Sequence, residues 1–229
     1  MFWEENSERK QFKVPDTIVD VVFNIDCRCL PIEHTHALSS ALRAALPWLD
    51  AEQDAGIHMI HGAESGNGWM RPDGSQGDAL LYLSRRTKLE LRVPKQRVAA
   101  ASALSGSTLE VGGHPLKVLD AQVRLLSNIT TLFSRYVIAD ARLDEENFLR
   151  TSSAQLQALG VRCGKMLCGR SHEIDLPGER LFTRSLMLAE LNVQGSILLQ
   201  QKGLGRGRTL GCGLFLPHKD IKAVGGGDE

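Results

Sequence analysis

The chain has 229 residues, 42% of them hydrophobic and 24% charged, the balance of an ordinary globular protein long enough for one large domain or two small ones. Its 27 basic and 27 acidic residues cancel, which excludes a global field drawing it to nucleic acid or to a membrane surface. No apolar run is long enough to cross a bilayer. Five cysteines, an odd number, behind a charged N-terminus without an apolar signal core read as reduced thiols in a cytoplasmic protein.

Residues 1–16 form a polar, charged arm. Ile18 to Ile25 is β-branched and reads as a strand that Pro31 ends. His34 to Leu49 carries Leu38, Ala41, Leu42, Ala45 and Leu49 at helical spacing. A short strand around Ile57 to His61 follows, then a Gly/Ser/Asp-rich loop from Gly62 to Gly77. Ala79 to Leu83 and Lys88 to Val93 have the pattern of a hairpin. Pro94 opens a helix through Val98 and Ala101 to Leu104, and Leu116 to Val123 completes the half as a strand.

The second half repeats the scheme. A strand from Thr130 to Ile138 leads to a helix from about Asp144 to Leu159, with acids at its positive end and Gly160 as its stop. Strands are expected at Val161 to Leu167, around Ile174 and within Leu181 to Leu191. The helix Val193 to Lys202 and a strand Leu210 to Leu216 close the order. Each half approximates β-α-β-β-α-β, so the expected fold is α+β: two tandem ferredoxin-like domains, 17–127 and 128–219, followed by a disordered tail, 220–229. The repeat is topological, without sequence self-similarity.

Between that last helix and strand stands the most informative segment, Gly203-Leu204-Gly205-Arg206-Gly207-Arg208-Thr209-Leu210-Gly211-Cys212-Gly213. Two Gly-apolar-Gly triplets bracket two arginines. Such glycines let backbone N–H groups approach a ligand, and arginine supplies a fork suited to phosphate. The helix-loop-strand order is the reverse of a dinucleotide or P-loop site, so this is another kind of anion loop. The bland reading is a tight connection with solvated arginines. A second basic stretch, Arg85, Arg86, Lys88, Arg92, Lys95 and Arg97, faces a single acid, Glu90; hairpin alternation puts Arg85 and Arg86 on opposite faces. The cysteines read as structural thiols, because Cys27-x-Cys29 alternates along a strand and Cys163 and Cys168 lack metal-knuckle spacing.

The glycine pattern before the last strand of a second ferredoxin-like repeat resembles the CRISPR-associated RAMP superfamily. Leu30-Pro31-Ile32-Glu33-His34 to Pro47-Trp48-Leu49, Gly56-Ile57-His58, Leu83-Ser84-Arg85-Arg86 and Leu210 to Lys219 look like the Myxan-subtype branch of its repeat-RNA processing endoribonucleases. The resemblance covers Thr17 to Lys219. It implies cutting of precursor CRISPR RNA within repeats, without metal or cofactor. The ribose 2′-hydroxyl attacks the adjacent phosphate, leaving a 2′,3′-cyclic phosphate and a 5′-hydroxyl. The product guide RNA, and other effector subunits, are the implied partners; no membrane is.

That chemistry needs a base, an acid and positive charge around the phosphorane. His34 stands where strand becomes helix, a place that disfavours imidazolium and favours phosphate. By itself it reads as a capping or partly buried histidine; the family position makes it the catalytic choice. His36 and Ser39 are further catalytic candidates, although His36 faces another side of the helix and Ser39 reads more readily as a solvent-facing residue than as a phosphate contact. The expected RNA contacts are Gly203, Gly205, Arg206, Arg208, Gly211 and Gly213, with Lys202, Arg43, Arg85 and Arg86. His58 and His61 alternate along a strand, so that one could face the site, but they read first as edge-strand surface histidines; His218 reads as a phosphate contact or a solvated residue, and Arg162, Arg170 and Arg184 as stem-loop contacts without a place. Two rival functions stand beside the ribonuclease: a silent RAMP scaffold that holds guide RNA, and a ferredoxin-like protein that binds mononucleotides.

Overall fold

A computed structural model describes residues 12–61 and 79–218. Most of the expected arm, the Gly/Ser/Asp-rich loop and the expected tail therefore lie outside the described residues. Among the described residues, eleven strands and four α-helices follow one another: β1 (Ile18–Asp26), β2 (Cys29–Pro31), α1 (Thr35–Ala45), β3 (Gly56–His58), β4 (Leu80–Tyr82), β5 (Lys88–Pro94), α2 (Val98–Ser102), β6 (Thr108–Val111), β7 (His114–Leu125), β8 (Leu132–Ile138), α3 (Glu145–Ala158), β9 (Lys165–Leu176), β10 (Glu179–Ala189), α4 (Val193–Lys202) and β11 (Leu216–Pro217).

The strands assemble into a sheet ordered β3-β5-β1-β7-β6 and a second ordered β11-β8-β10-β9. All observed pairings are antiparallel. Numbering the strands of each ferredoxin-like unit one to four, both sheets run four-one-three-two, the first with β6 added at its edge. The fold is thus two tandem ferredoxin-like units. In the first, Val19, Val21 and Phe23 of β1 alternate onto one face and pack with Leu38 and Leu42 of α1 and Ala101 of α2. In the second, Leu132 and Val137 of β8, Leu186 and Leu188 of β10, Phe148 and Leu156 of α3, and Leu199 of α4 form the core.

Local chemistry sets the helix ends. In α1 the buried residues Thr35, Leu38, Ser39 and Leu42 fall at three-four spacing. The helix stops at Ala45, short of the expected Leu49, because Pro47 keeps Leu46 out of the helical conformation, at φ −131° and ψ 75°; a short 3-10 turn covers Pro47–Asp50. Asp144 caps α3 by accepting from the Asn147 N–H at 2.8 Å, and Asn192 caps α4 by accepting from Gly195 at 2.6 Å.

Four expectations are corrected. β4 does not form a hairpin with β5; it pairs with β2, Leu30 opposite Leu81, because β5 already has β1 and β3 on its two edges. Arg85 and Arg86 therefore sit in a turn and not on alternating strand faces. β6 was not expected, yet Gly112 and Gly113, both at positive φ, make the two-residue turn that pairs it with β7. The segment expected as a strand from Leu210 to Leu216 is a 3-10 turn, Arg208–Leu210, then further turns, with pairing only at Leu216 and Pro217. In the glycine-rich segment that runs into it, Gly205, Gly207, Gly211 and Gly213 all have positive φ. They fold the segment back on itself, so that Leu204 N–H donates to Gly213 O and Cys212 N–H to Gly207 O.

Candidate active site

A cleft of about 320 Å³ opens between the two units. Ile32, His34, Thr35, Met59, His61 and Leu81 line it from the first, and Phe133, Arg135, Tyr136, Arg170, Ser171, His172 and Ser185 from the second. His34 occupies the N-cap position of α1 and is 4% exposed. Its Nδ1 lies 2.8 Å from Pro31 O. A carbonyl can only accept, so Nδ1 carries the hydrogen, and in the neutral ring Nε2 holds the lone pair. Thr35 follows it at the first turn, where helix N–H groups favour an anion.

Rings and guanidinium groups furnish the opposite wall. Tyr136 of β8 lies 5.1 Å from His172 of β9 and 6.1 Å from His61, centroid to centroid. His172 Nε2 is 3.9 Å from the Glu33 carboxylate, which precedes His34 in the chain. His218 packs 5.9 Å from the Phe133 ring. Arg135 and Arg170 bring the positive charge.

The glycine loop lies behind this cleft, and its arginines do not line it. Gly213 N–H donates to Tyr136 O at 2.6 Å, and a side chain on Gly211 would meet Met59. Arg208 turns inward and donates to Ala55 O at 3.1 Å, Asp54 O at 2.9 Å and Gln201 O at 3.1 Å. Burial, with Arg92 nearby, lowers its pKa to about 10. Arg208 thus ties the loop to the first unit. Arg206 stays 69% exposed with Glu179 at 3.5 Å, and Lys202 pairs with Asp54 at 3.0 Å. Gly203 and Gly205 are turn positions, at φ 68° and 75°.

The other expected residues scatter. Ser39 is 1% exposed, beneath α1 and not toward solvent. His36 is exposed, with Nε2 3.4 Å from Ser40 Oγ. Arg43 forms an ion pair with Asp50 at 2.5 Å that raises its pKa. Of the three catalytic candidates, only His34 lines the cleft.

His58 is buried, contrary to the surface reading. It joins a charged network on the face of the first sheet opposite α1. Arg92 grips Asp20 with Nε at 2.8 Å and Nη2 at 3.1 Å, while His58 Nε2 is 3.5 Å away. Arg92 Nη1 also reaches Gln200 O at 2.9 Å and Phe215 O at 3.0 Å, clasping the second unit. Asp20, His58 and Glu90 could in principle hold a cation, their donor atoms lying within 4.8 Å. But Arg92 occupies Asp20 and Arg124 occupies Glu90 at 2.5 Å, so the carboxylates are already neutralised.

A family model described as Cas6 Crispr matches residues 19–220. The chain belongs to the Cas6 family. It is 32% identical over 199 residues to the CRISPR-associated endonuclease Cas6 of Myxococcus xanthus (strain DK1622), covering 87% of this chain and 81% of that relative. Two solved structures share the fold. A Cas6-related protein from Pyrococcus furiosus superposes with a TM-score of 0.59 at 11% identity, covering 90% of this chain and 99% of that one. A RAMP protein described as binding different RNA substrates gives 0.60 at 10%, covering 88% and 100%. Among the described residues, no helix is long and apolar enough to cross a membrane.

Of the residues that line the cleft, sequence reasoning singled out His34, passed over Arg135, Tyr136 and His172, and left Arg170 without a place. A signal existed: Arg135-Tyr136 and Arg170-Ser171-His172 each join a guanidinium to a ring within strands of one sheet.

Proposed function

We propose that the chain is an endoribonuclease that cuts precursor CRISPR RNA within its repeats at the cleft between the two units, without metal. It leaves a 2′,3′-cyclic phosphate and a 5′-hydroxyl, and keeps the guide RNA for an effector complex. The observation that carries this reading is an imidazole of fixed tautomer at a helix N-terminus, facing a wall of arginines and rings. His34 Nε2 takes the proton from the 2′-hydroxyl. Arg135 and Arg170 hold the phosphate as its charge grows, and the Tyr136 and Phe133 rings offer stacking faces for splayed bases. Arg206 and Lys202 lie at the periphery as phosphate contacts. At 4% exposure, the ring meets RNA only once the side chains over it part.

The test is a cleavage assay on cognate repeat RNA with EDTA present. Wild type cuts and leaves a cyclic phosphate; His34→Ala loses about 100- to 10,000-fold in rate while affinity stays near wild type. Equal losses in rate and affinity would make His34 a positioning residue. The burial of His34 favours a second reading, a silent guide-RNA scaffold, and the absence of cutting on every cognate repeat would establish it.

A further inference from the structure

We infer that His172 is the second catalytic group, the acid for the 5′-oxygen leaving group, so that the active site is completed only when the two units face each other. The inference rests on the ribonuclease reading above and adds the partner that His34 needs.

The geometry offers two imidazoles in one cleft from separate units: His34 at the start of α1 and His172 on β9. Their surroundings set them apart. His34 is bound through Nδ1 to a carbonyl and almost enclosed, which suits a neutral ring with its lone pair on Nε2. His172 is 23% exposed and its Nε2 stands 3.9 Å from Glu33 Oε2, a carboxylate that favours the protonated ring. The backbone under it is held, since Thr183 Oγ1 donates to His172 O at 2.8 Å, and the Tyr136 ring flanks it at 5.1 Å. In the proposed reaction His34 acts as the neutral ring and His172 as the cationic one, the two protonation states that this cleavage consumes.

The step balances without any further reagent. The 2′-oxygen forms its bond to phosphorus as its proton passes to His34 Nε2. The bond from phosphorus to the 5′-oxygen breaks, and that oxygen takes the proton from the His172 imidazolium. No electron leaves the system, and water exchanges the two protons afterwards. Glu33 is a positioning residue that keeps His172 charged.

Single-turnover cleavage of two substrates tests this, one with the natural 5′-oxygen and one with a bridging 5′-sulfur at the scissile position. A thiolate leaves without an acid. His172→Ala should lose about 100- to 10,000-fold on the oxygen substrate and stay within about tenfold of wild type on the sulfur substrate. His34→Ala should be slow on both. Glu33→Gln, which leaves the imidazole in place, should lose rate on oxygen alone. Equal losses by His172→Ala on both substrates, or none on oxygen, would overturn the assignment while leaving the ribonuclease reading intact. Failure of wild type to cut either substrate would overturn the ribonuclease reading itself.

Discussion

Arg206 and Arg208 stand two positions apart in one motif, and the chain uses them oppositely. Hydrogen bonds to a charged group contribute about 1.5–3 kcal/mol each, and Arg208 makes three to backbone carbonyls that few other groups could satisfy. Arg208→Ala should therefore cost about 2–4 kcal/mol of unfolding free energy in urea titration. Arg206→Ala should change stability by less than about 0.5 kcal/mol. It should instead weaken RNA binding and lower the slope of affinity against salt by about one. A stable Arg208→Ala protein with weakened RNA binding would restore the contact role that the motif alone suggests.

The glycine loop shows which elements the sequence makes legible. Its presence, and the helix before it, are readable from residue type: Val193–Lys202 forms as expected, with Asn192 as its cap. What the glycines are for is not readable, because it depends on contacts far along the chain. A side chain at Gly213 would strike the Leu204 carbonyl at a φ of 66°. Gly213→Ala should therefore destabilise the fold by at least about 1–3 kcal/mol. It should also slow cleavage, since the Gly213 N–H holds the Tyr136 carbonyl. Wild-type melting and rate for this variant would mean that the loop is not the cleft's support. The failed hairpin has the same origin: β4 has the local pattern of a strand, but the occupied edges of β5 chose its partner. His34 was readable because strand-to-helix turns have local markers. Tyr136 and His172 were not, because their meeting depends on how β8, β9 and β10 align.

At the scale of the molecule, the two units are joined by buried charge as well as by apolar contact. Asp20 lies among Arg92, Arg124 and His58, and Arg92 in turn reaches α4 and the segment before β11. Burial alone would push the Asp20 carboxyl up, yet Arg92 and His58 outweigh it and hold it well below the usual range. Its folded pKa is below its unfolded one, near about 3.9, so its stabilisation is complete above that value and lost as pH falls below it. Stability measured by denaturation should fall as pH drops below about 4 more steeply in wild type than in Asp20→Asn. That variant should itself be weaker by about 3–5 kcal/mol near neutral pH, because Arg92 keeps its charge without a partner. An unchanged acid limb in Asp20→Asn would contradict this role.

The seam matters because it sets His34 opposite Arg135, Arg170 and His172. A crystal structure of the protein with cognate repeat RNA, carrying a 2′-deoxyribose at the scissile position to stop the reaction, measures this directly. The account predicts the scissile phosphorus inside the cleft, within reach of both His34 and the β8–β9 wall. A scissile phosphate bound away from that cleft, over Arg206 or the exposed face of α1, would contradict it.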